Sequence, residues 1–215
     1  MNTPCNVVVL ISGSGSNLQA LIDSTGADNP VNICAVISNR ADAYGLTRAK
    51  QAGIATCVLD HKQYPDRDSF DQALIQCIDS FNAQLVVLAG FMRILSGGFV
   101  RHYAGRLLNI HPSLLPKFKG MHTHQRALDA GESSHGCSVH FVTEELDGGP
   151  LVIQAAVPVL PDDTAQTLAQ RVHTEEHRIY PLAVRWFAEC RLRLGAEGAE
   201  LDGQPLSASE QPLRN

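Results

Sequence analysis

Asn6-Val7-Val8-Val9-Leu10-Ile11-Ser12-Gly13-Ser14-Gly15-Ser16-Asn17 passes from an unbroken apolar run into alternating serines and glycines, and residues 18–24 follow with apolar side chains at helical spacing. A short apolar run without polar alternation is what a strand buried on both faces requires. Strand, glycine-rich loop and helix in that order make the first βα unit of a parallel sheet. Glycines let the backbone approach a ligand, and the free N–H groups and dipole at a helix start favour an anion. The loop reads as a phosphate cradle. It is not a dinucleotide fingerprint: the third glycine position falls at Leu18, and Ser38-Asn39-Arg40 stands where an acidic residue would follow the second strand. Gly-Lys-Ser/Thr is also missing, so a monophosphate is the better ligand. The competing reading is a tight strand-to-helix turn with Ser16 as the cap.

The same alternation continues outward. Residues 32–38, 56–59, 84–89 and 107–110 read as strands, while 45–52 and 69–81 carry helical periodicity, so the first half is a βαβαβαβ series. That pattern predicts an α/β, doubly wound, parallel sheet with right-handed crossovers, whose ligands bind outside the C-terminal strand ends. Farther on, residues 138–142 and 151–159 read as strands joined through a turn at 144–150, an antiparallel extension. A long helix follows, capped by Asp163 or Thr164. It runs through Leu168, Val172, Ile179, Leu182 and Trp186 to about Leu194, with Pro181 a candidate kink. From Gly195 the residues are small and polar without a clear period. The expected organisation is one domain over 1–194 and a polar surface tail over 195–215.

Composition narrows the function classes. With 215 residues, 44% hydrophobic and 18% charged, the chain suits one globular domain with a substantial core. Lys+Arg at 17 against Asp+Glu at 22 gives a net charge of −5 without a basic block, which argues against a nucleic-acid partner. The apolar run at 7–11 is too short for a signal peptide or a membrane span, so a soluble cytoplasmic protein with no membrane partner is expected. Six cysteines are scattered without a Cys-x-x-Cys pair and read as reduced thiols without a catalytic role.

Chemistry concentrates in Leu108-Asn109-Ile110-His111-Pro112-Ser113-Leu114-Leu115-Pro116 and Leu146-Asp147-Gly148-Gly149-Pro150. Residues at i and i+2 of a strand share a face, so Asn109 and His111 present an amide donor and an imidazole together at the strand's end. Attack on a carbonyl creates an oxyanion that needs donors held in a dry site, and Asn and protonated His both donate. An ionised Asp147 beside His111 would favour the imidazolium. Asn109, His111 and Asp147 are therefore the candidate catalytic residues for acyl-type transfer. Taken singly, Asn-x-His is commonly a structural pair and Asp-Gly-Gly-Pro commonly a turn; their combination is specific. A rival signal is His173-Thr174-Glu175-Glu176-His177, which matches the inverted zinc-protease pattern and would make His173, Glu176 and His177 a zinc hydrolase site. The remaining downstream acidic residues lie mostly in the expected tail. His122-Thr123-His124 reads as hydrogen-bonding groups, and the expectation is that no metal is bound.

Together the glycine loop, Val87-Leu88-Ala89-Gly90-Phe91-Met92-Arg93-Ile94-Leu95, the segments at 109–116, 135–136 and 138–142, and the turn at 146–150 cover the chain to about Leu194. They resemble the family of phosphoribosylglycinamide formyltransferases, folate-dependent formyltransferases of purine synthesis. What the resemblance implies is transfer of a formyl group from the cosubstrate 10-formyltetrahydrofolate to the primary amine of glycinamide ribonucleotide. It implies that Asn109 and His111 stabilise the oxyanion while Asp147 tunes His111 and relays protons through water. It further implies that Gly15, Ser16 and Asn17 hold the substrate phosphate in the N-terminal half and that His173 and Glu176 contact glycinamide ribonucleotide. The pterin would be surrounded by Met92, Arg93, Ile94, Leu95, Asn109 and the loop Thr143, Glu144, Glu145, Leu146, Asp147, and Arg67 would approach the anionic folate tail. A cis Leu115-Pro116 bond is also implied. Lys119 stands where many relatives carry a proline or other small loop residue. A formyltetrahydrofolate hydrolase is the alternative within this chemistry, although such enzymes carry an N-terminal regulatory domain that this strand series does not leave room for.

Overall fold

The computed structural model describes residues 4–206, and the chain divides into two compact units, Met1–Leu108 and Asn109–Asn215. The first unit contains β1 (Cys5–Ile11), α1 (Ser16–Ser24), β2 (Val31–Ser38), α2 (Tyr44–Gln51), β3 (Ala55–Val58), α3 (Arg67–Asp79), β4 (Leu85–Leu88) and α4 (Gly97–His102). Its strands lie in the order β3-β2-β1-β4 with parallel pairing throughout. β1 is central, which is why its sequence shows no polar alternation: every residue from Val7 through Ile11 is 0% exposed. Leu18 and Leu21 of α1, Leu46 and Ala49 of α2, and Phe70, Leu74 and Ile78 of α3 complete that core.

The winding sense reverses beside β1: β2 and β3 lie on one side of it and β4 on the other. Such a reversal opens a crevice at the C-terminal strand ends. There the Ser12 N–H donates to the Gly90 carbonyl at 3.1 Å, so the glycine loop after β1 and the loop after β4 meet. α4, six residues long and capped by the Ser96 side chain, had no periodic signal of its own.

β5 (Leu107–His111) carries the chain into the second unit, followed by α5 (Thr123–Asp129), β6 (Ser134–Phe141), β7 (Leu151–Pro158) and α6 (Ala165–Ala188). β5, β6 and β7 are ordered side by side, and β6 and β7 pair antiparallel. α6 begins with a capping box between Thr164 and Thr167 and buries Leu168, Val172, Ile179, Tyr180, Ala183 and Val184. Asp163 is instead ion-paired to Arg171 at 2.8 Å. The fold is α/β and doubly wound, mostly parallel, with an antiparallel C-terminal extension and a long C-terminal helix. Among the described residues no helix is long and apolar enough to cross a membrane.

Two expectations at the C-terminus are corrected. α6 stops at Ala188, short of Leu194, because Cys190 turns left-handed at φ 59° and its N–H and that of Arg191 return to the Phe187 and Trp186 carbonyls. Pro181 lies inside α6. Beyond it, residues 195–206 do not form a tail. β8 (Leu192–Leu194), β9 (Ala199–Leu201) and β10 (Gln204–Pro205) form a small antiparallel sheet, with Ala199 only 3% exposed. Asp202-Gly203, both at positive φ, makes the β9–β10 hairpin turn, and Arg191 grips the Asp202 carboxylate at 2.7 and 2.8 Å. Residues 207–215 of the expected tail lie outside the described residues.

Candidate active site

In the second unit, the end of β5 brings Asn109 and His111 against β6 and the turn that follows it. Asn109 Nδ2 lies 3.1 Å from His140 Nε2, and His140 Nδ1 lies 2.9 Å from the Phe141 carbonyl oxygen. A carbonyl only accepts, so His140 carries its proton on Nδ1 and offers Nε2 to the Asn109 amide. Burial depresses the His140 pKa below the ordinary histidine value and keeps the ring neutral. One Nδ2 hydrogen of Asn109 is thereby spent on His140, and the amide is oriented by it.

His111 is 6% exposed, and each of its ring nitrogens faces an oxygen: Nε2 lies 3.0 Å from the Phe118 carbonyl and Nδ1 3.4 Å from Asp147 Oδ2. Asp147 Oδ2 also accepts from the Gly120 N–H at 2.9 Å, and Oδ1 lies 3.9 Å from His140 Nε2. The backbone explains the Asp-Gly-Gly-Pro sequence. Asp147 is left-handed at φ 47°, and a Cβ on Gly149 would fall on the Phe141 carbonyl oxygen. Only glycine lets the turn close on β6, where the Phe141 N–H donates to the Pro150 carbonyl at 2.9 Å. A cavity of about 140 Å³ bordered by Leu115, Pro116, Lys119 and Leu151 adjoins Asp147, room for several waters beside the carboxylate. Leu115-Pro116 is cis. Lys119 pairs with Glu145 at 2.7 Å and ties its loop to the Thr143–Asp147 segment, in which Leu146 is exposed. His124 and His135 face each other at 3.2 Å, and burial lowers both pKa values, that of His124 to about 4.

In the first unit, Gly15 caps α1 at φ 71° and no side chain caps this helix, so Ser16 is its first residue and not its cap. A Cβ on Gly15 would lie 2.6 Å from the Gly45 Cα, and one on Gly45 would lie 2.5 Å from Ile11 Cδ1. The paired glycines let α2 touch the loop, where the Gly45 N–H donates to the Gly13 carbonyl at 3.0 Å and Arg48 Nε to the Ser14 carbonyl at 2.9 Å. These contacts spend loop carbonyls on α2, while Gly15, the N-cap of α1, has no side chain to compete with an anion at the helix start.

The loop of Met92, Arg93, Ile94 and Leu95 is fastened at both ends by buried side chains. The Met92 N–H donates to Ser12 Oγ at 2.8 Å, and that hydroxyl donates to Asn39 Oδ1 at 2.6 Å. The Ser96 N–H donates to Asp71 Oδ2 at 2.6 Å. Between the anchors Met92 and Ile94 are each 65% exposed, while Arg93 Nε is buried without a hydrogen-bond partner. Exposed apolar side chains beside an unsatisfied donor suit an aromatic ring with a polar edge.

The remaining candidates are more dispersed. Arg67 opens α3 and is exposed. On α6 Glu176 is 3% exposed, whereas His173 and His177 are exposed and stacked at 6.3 Å. Among the described residues no group of three or more His, Cys, Asp and Glu side chains is arranged to hold a metal ion. Sequence reasoning missed His140, Gly45, Arg48, Ser12 and Asp71. For His140 the signal was hidden because β6 is buried residue after residue from His135 through Phe141, and a register shift at Val139/His140 re-aims the ring.

The fold and the relatives of this chain make it a formyl-transferring enzyme. Residues 5–184 match the family described as formyl transferase, and the chain belongs to that family. It is 57% identical over 202 residues to the phosphoribosylglycinamide formyltransferase of Escherichia coli (strain K12), covering 94% of this chain and 95% of that protein. It is 51% identical over 193 residues to the trifunctional purine biosynthetic protein adenosine-3 of Homo sapiens, covering 89% of this chain and 19% of that longer protein. The solved phosphoribosylglycinamide formyltransferase of Coxiella burnetii superposes with a TM-score of 0.94 at 52% identity, covering 98% of this chain and 100% of that one.

Proposed function

We propose that this chain transfers the formyl group of 10-formyltetrahydrofolate to the primary amine of glycinamide ribonucleotide, releasing tetrahydrofolate and formylglycinamide ribonucleotide in purine synthesis. The observation that carries the reading is the Asn109, His111, His140 and Asp147 cluster, with both histidines buried, in a chain so similar to phosphoribosylglycinamide formyltransferases along nearly its whole length. The substrate amine attacks the formyl carbon and the carbonyl π electrons move to oxygen. The second Nδ2 hydrogen of Asn109 and a His111 N–H stabilise that oxyanion. Because Nε2 of His111 rests on the Phe118 carbonyl, donation from that nitrogen requires the Phe118 segment to give way. Asp147, with water in the adjoining cavity, takes the proton lost by the attacking amine and delivers it to the departing folate nitrogen as the C–N bond breaks. Gly15, Ser16 and Asn17 hold the phosphate, and His173 and Glu176 contact the ribonucleotide. Met92, Arg93, Ile94, Leu95 and Thr143, Glu144, Glu145, Leu146 surround the pterin, with Arg67 toward the anionic tail.

The nucleophile is the substrate amine, so the reaction as written calls on no metal, nucleic acid or membrane. The protein is assigned to the cytoplasm, where its small-molecule substrates would be met. The test is turnover of 10-formyltetrahydrofolate followed by folate absorbance, with and without glycinamide ribonucleotide, with and without chelator. Amine-dependent, chelator-insensitive turnover is expected. Equal turnover without the amine would identify a hydrolase, and loss on chelation would return attention to His173, Glu176 and His177.

A further inference from the structure

Cys57 on β3 and Cys77 on α3 place their sulfur atoms 3.3 Å apart, the Cys77 thiol donating to the Cys57 sulfur. A disulfide needs about 2.05 Å, so closure asks for a sulfur displacement of roughly 1 Å. Both residues are half-buried: solvent reaches them, while the surrounding elements hold them in register. The other thiols are placed differently. Cys34 donates to the Val7 carbonyl, Cys137 is 0% and Cys5 6% exposed, and Cys190 lies exposed beyond α6. Burial and the neighbouring Cys57 push the Cys77 thiol up to about 12, so it stays protonated at neutral pH, and Cys57, whose sulfur accepts that S–H, makes the first attack.

We propose that Cys57 and Cys77 are a peroxide-oxidisable dithiol that closes to a disulfide joining β3 to α3. The Cys57 sulfur attacks one oxygen of hydrogen peroxide, the O–O bond breaks, and the departing hydroxide takes up the proton released by the Cys57 thiol, leaving a sulfenic acid and water. The Cys77 sulfur then attacks the sulfenic sulfur, the S–O bond breaks, and a second water leaves with the Cys77 proton. Two electrons pass from the thiols to the peroxide, which is reduced to two waters. The ring closed by the bond runs from the end of β3 into α3 and restricts the unfolded chain far more than the folded one.

The test uses the full chain treated with stoichiometric hydrogen peroxide, then denatured, alkylated and analysed by intact mass and peptide mapping. Expected are a mass lower by two hydrogens, a cross-linked Cys57–Cys77 peptide pair, reversal by dithiothreitol, and a thermal midpoint several degrees higher in the oxidised form. Cys57→Ser and Cys77→Ser should each abolish the cross-link. Six alkylated thiols after treatment, oxygenation of Cys57 without pairing, or a cross-link to any other cysteine would overturn the proposal.

Discussion

The loop after β1 and the cluster at the end of β5 are built from opposite materials. The first is backbone: Gly15 at φ 71°, Gly45 pressed against it, and loop carbonyls satisfied by α2. The second is side chain: two residues of β5, one of β6 and one from a turn, held in a polar network. A backbone cradle fails when an added Cβ fills space, and a side-chain cluster fails when one donor is removed. Substitutions should therefore separate the two regions by what they change, the cradle through substrate affinity and folding, the cluster through the chemical step.

The largest effect is expected from His111→Ala, which should lower kcat by about 100- to 1,000-fold with KM for both substrates little changed. A loss confined to KM would break the distinction between the two regions. Next, Gly15→Ala should raise KM for glycinamide ribonucleotide and destabilise the fold by about 1–3 kcal/mol in urea titration, because the methyl meets Gly45 backbone at 2.6 Å in a left-handed conformation. Wild-type stability and KM in this variant would refute the close-approach argument. His140→Ala should reduce kcat by roughly tenfold while leaving both KM values near wild type, since it orients Asn109 without reaching the reacting atoms. Asp71→Ala should raise KM for 10-formyltetrahydrofolate a fewfold and spare kcat and the ribonucleotide KM, a third pattern belonging to the anchored 92–96 loop. An unchanged folate KM would mean Ser12 alone holds that loop.

The smallest effect concerns pH. His124, His135 and His140 all have folded pKa values below the ordinary 6.5 because burial penalises their charged forms. Between 6.5 and those lower values the unfolded chain binds more protons, so the stability contribution is complete above 6.5 and declines as pH falls toward about 4, the His124 value. Urea midpoints measured from pH 7.5 down to 4.5 should fall, and more shallowly in His124→Asn. A flat profile in the wild type would contradict neutral burial of these rings.

Much of this molecule is legible in the chain because strand periodicity and glycine spacing are local. The strands of the first unit announce themselves by unbroken apolar runs, and Asn109 and His111 announce a shared face by their spacing of two. The misreadings have equally specific causes. The end of α6 is turned by Cys190, not a glycine, and the Asp202-Gly203 turn was a hairpin signal lost among short polar segments. Arg48 and Asp71 look like ordinary helix residues until the loops they hold are seen.

What the sequence by itself determined is the α/β class, the glycine-rich loop between β1 and α1, and the shared face of Asn109 and His111 on β5, since each depends on short-range periodicity. Only the tertiary structure decided that His140 sets the Asn109 amide, that Phe118 rests on His111, and that Cys57 meets Cys77. Those contacts join residues distant along the chain or depend on a bulge and left-handed turns, and no local pattern encodes where such a side chain points.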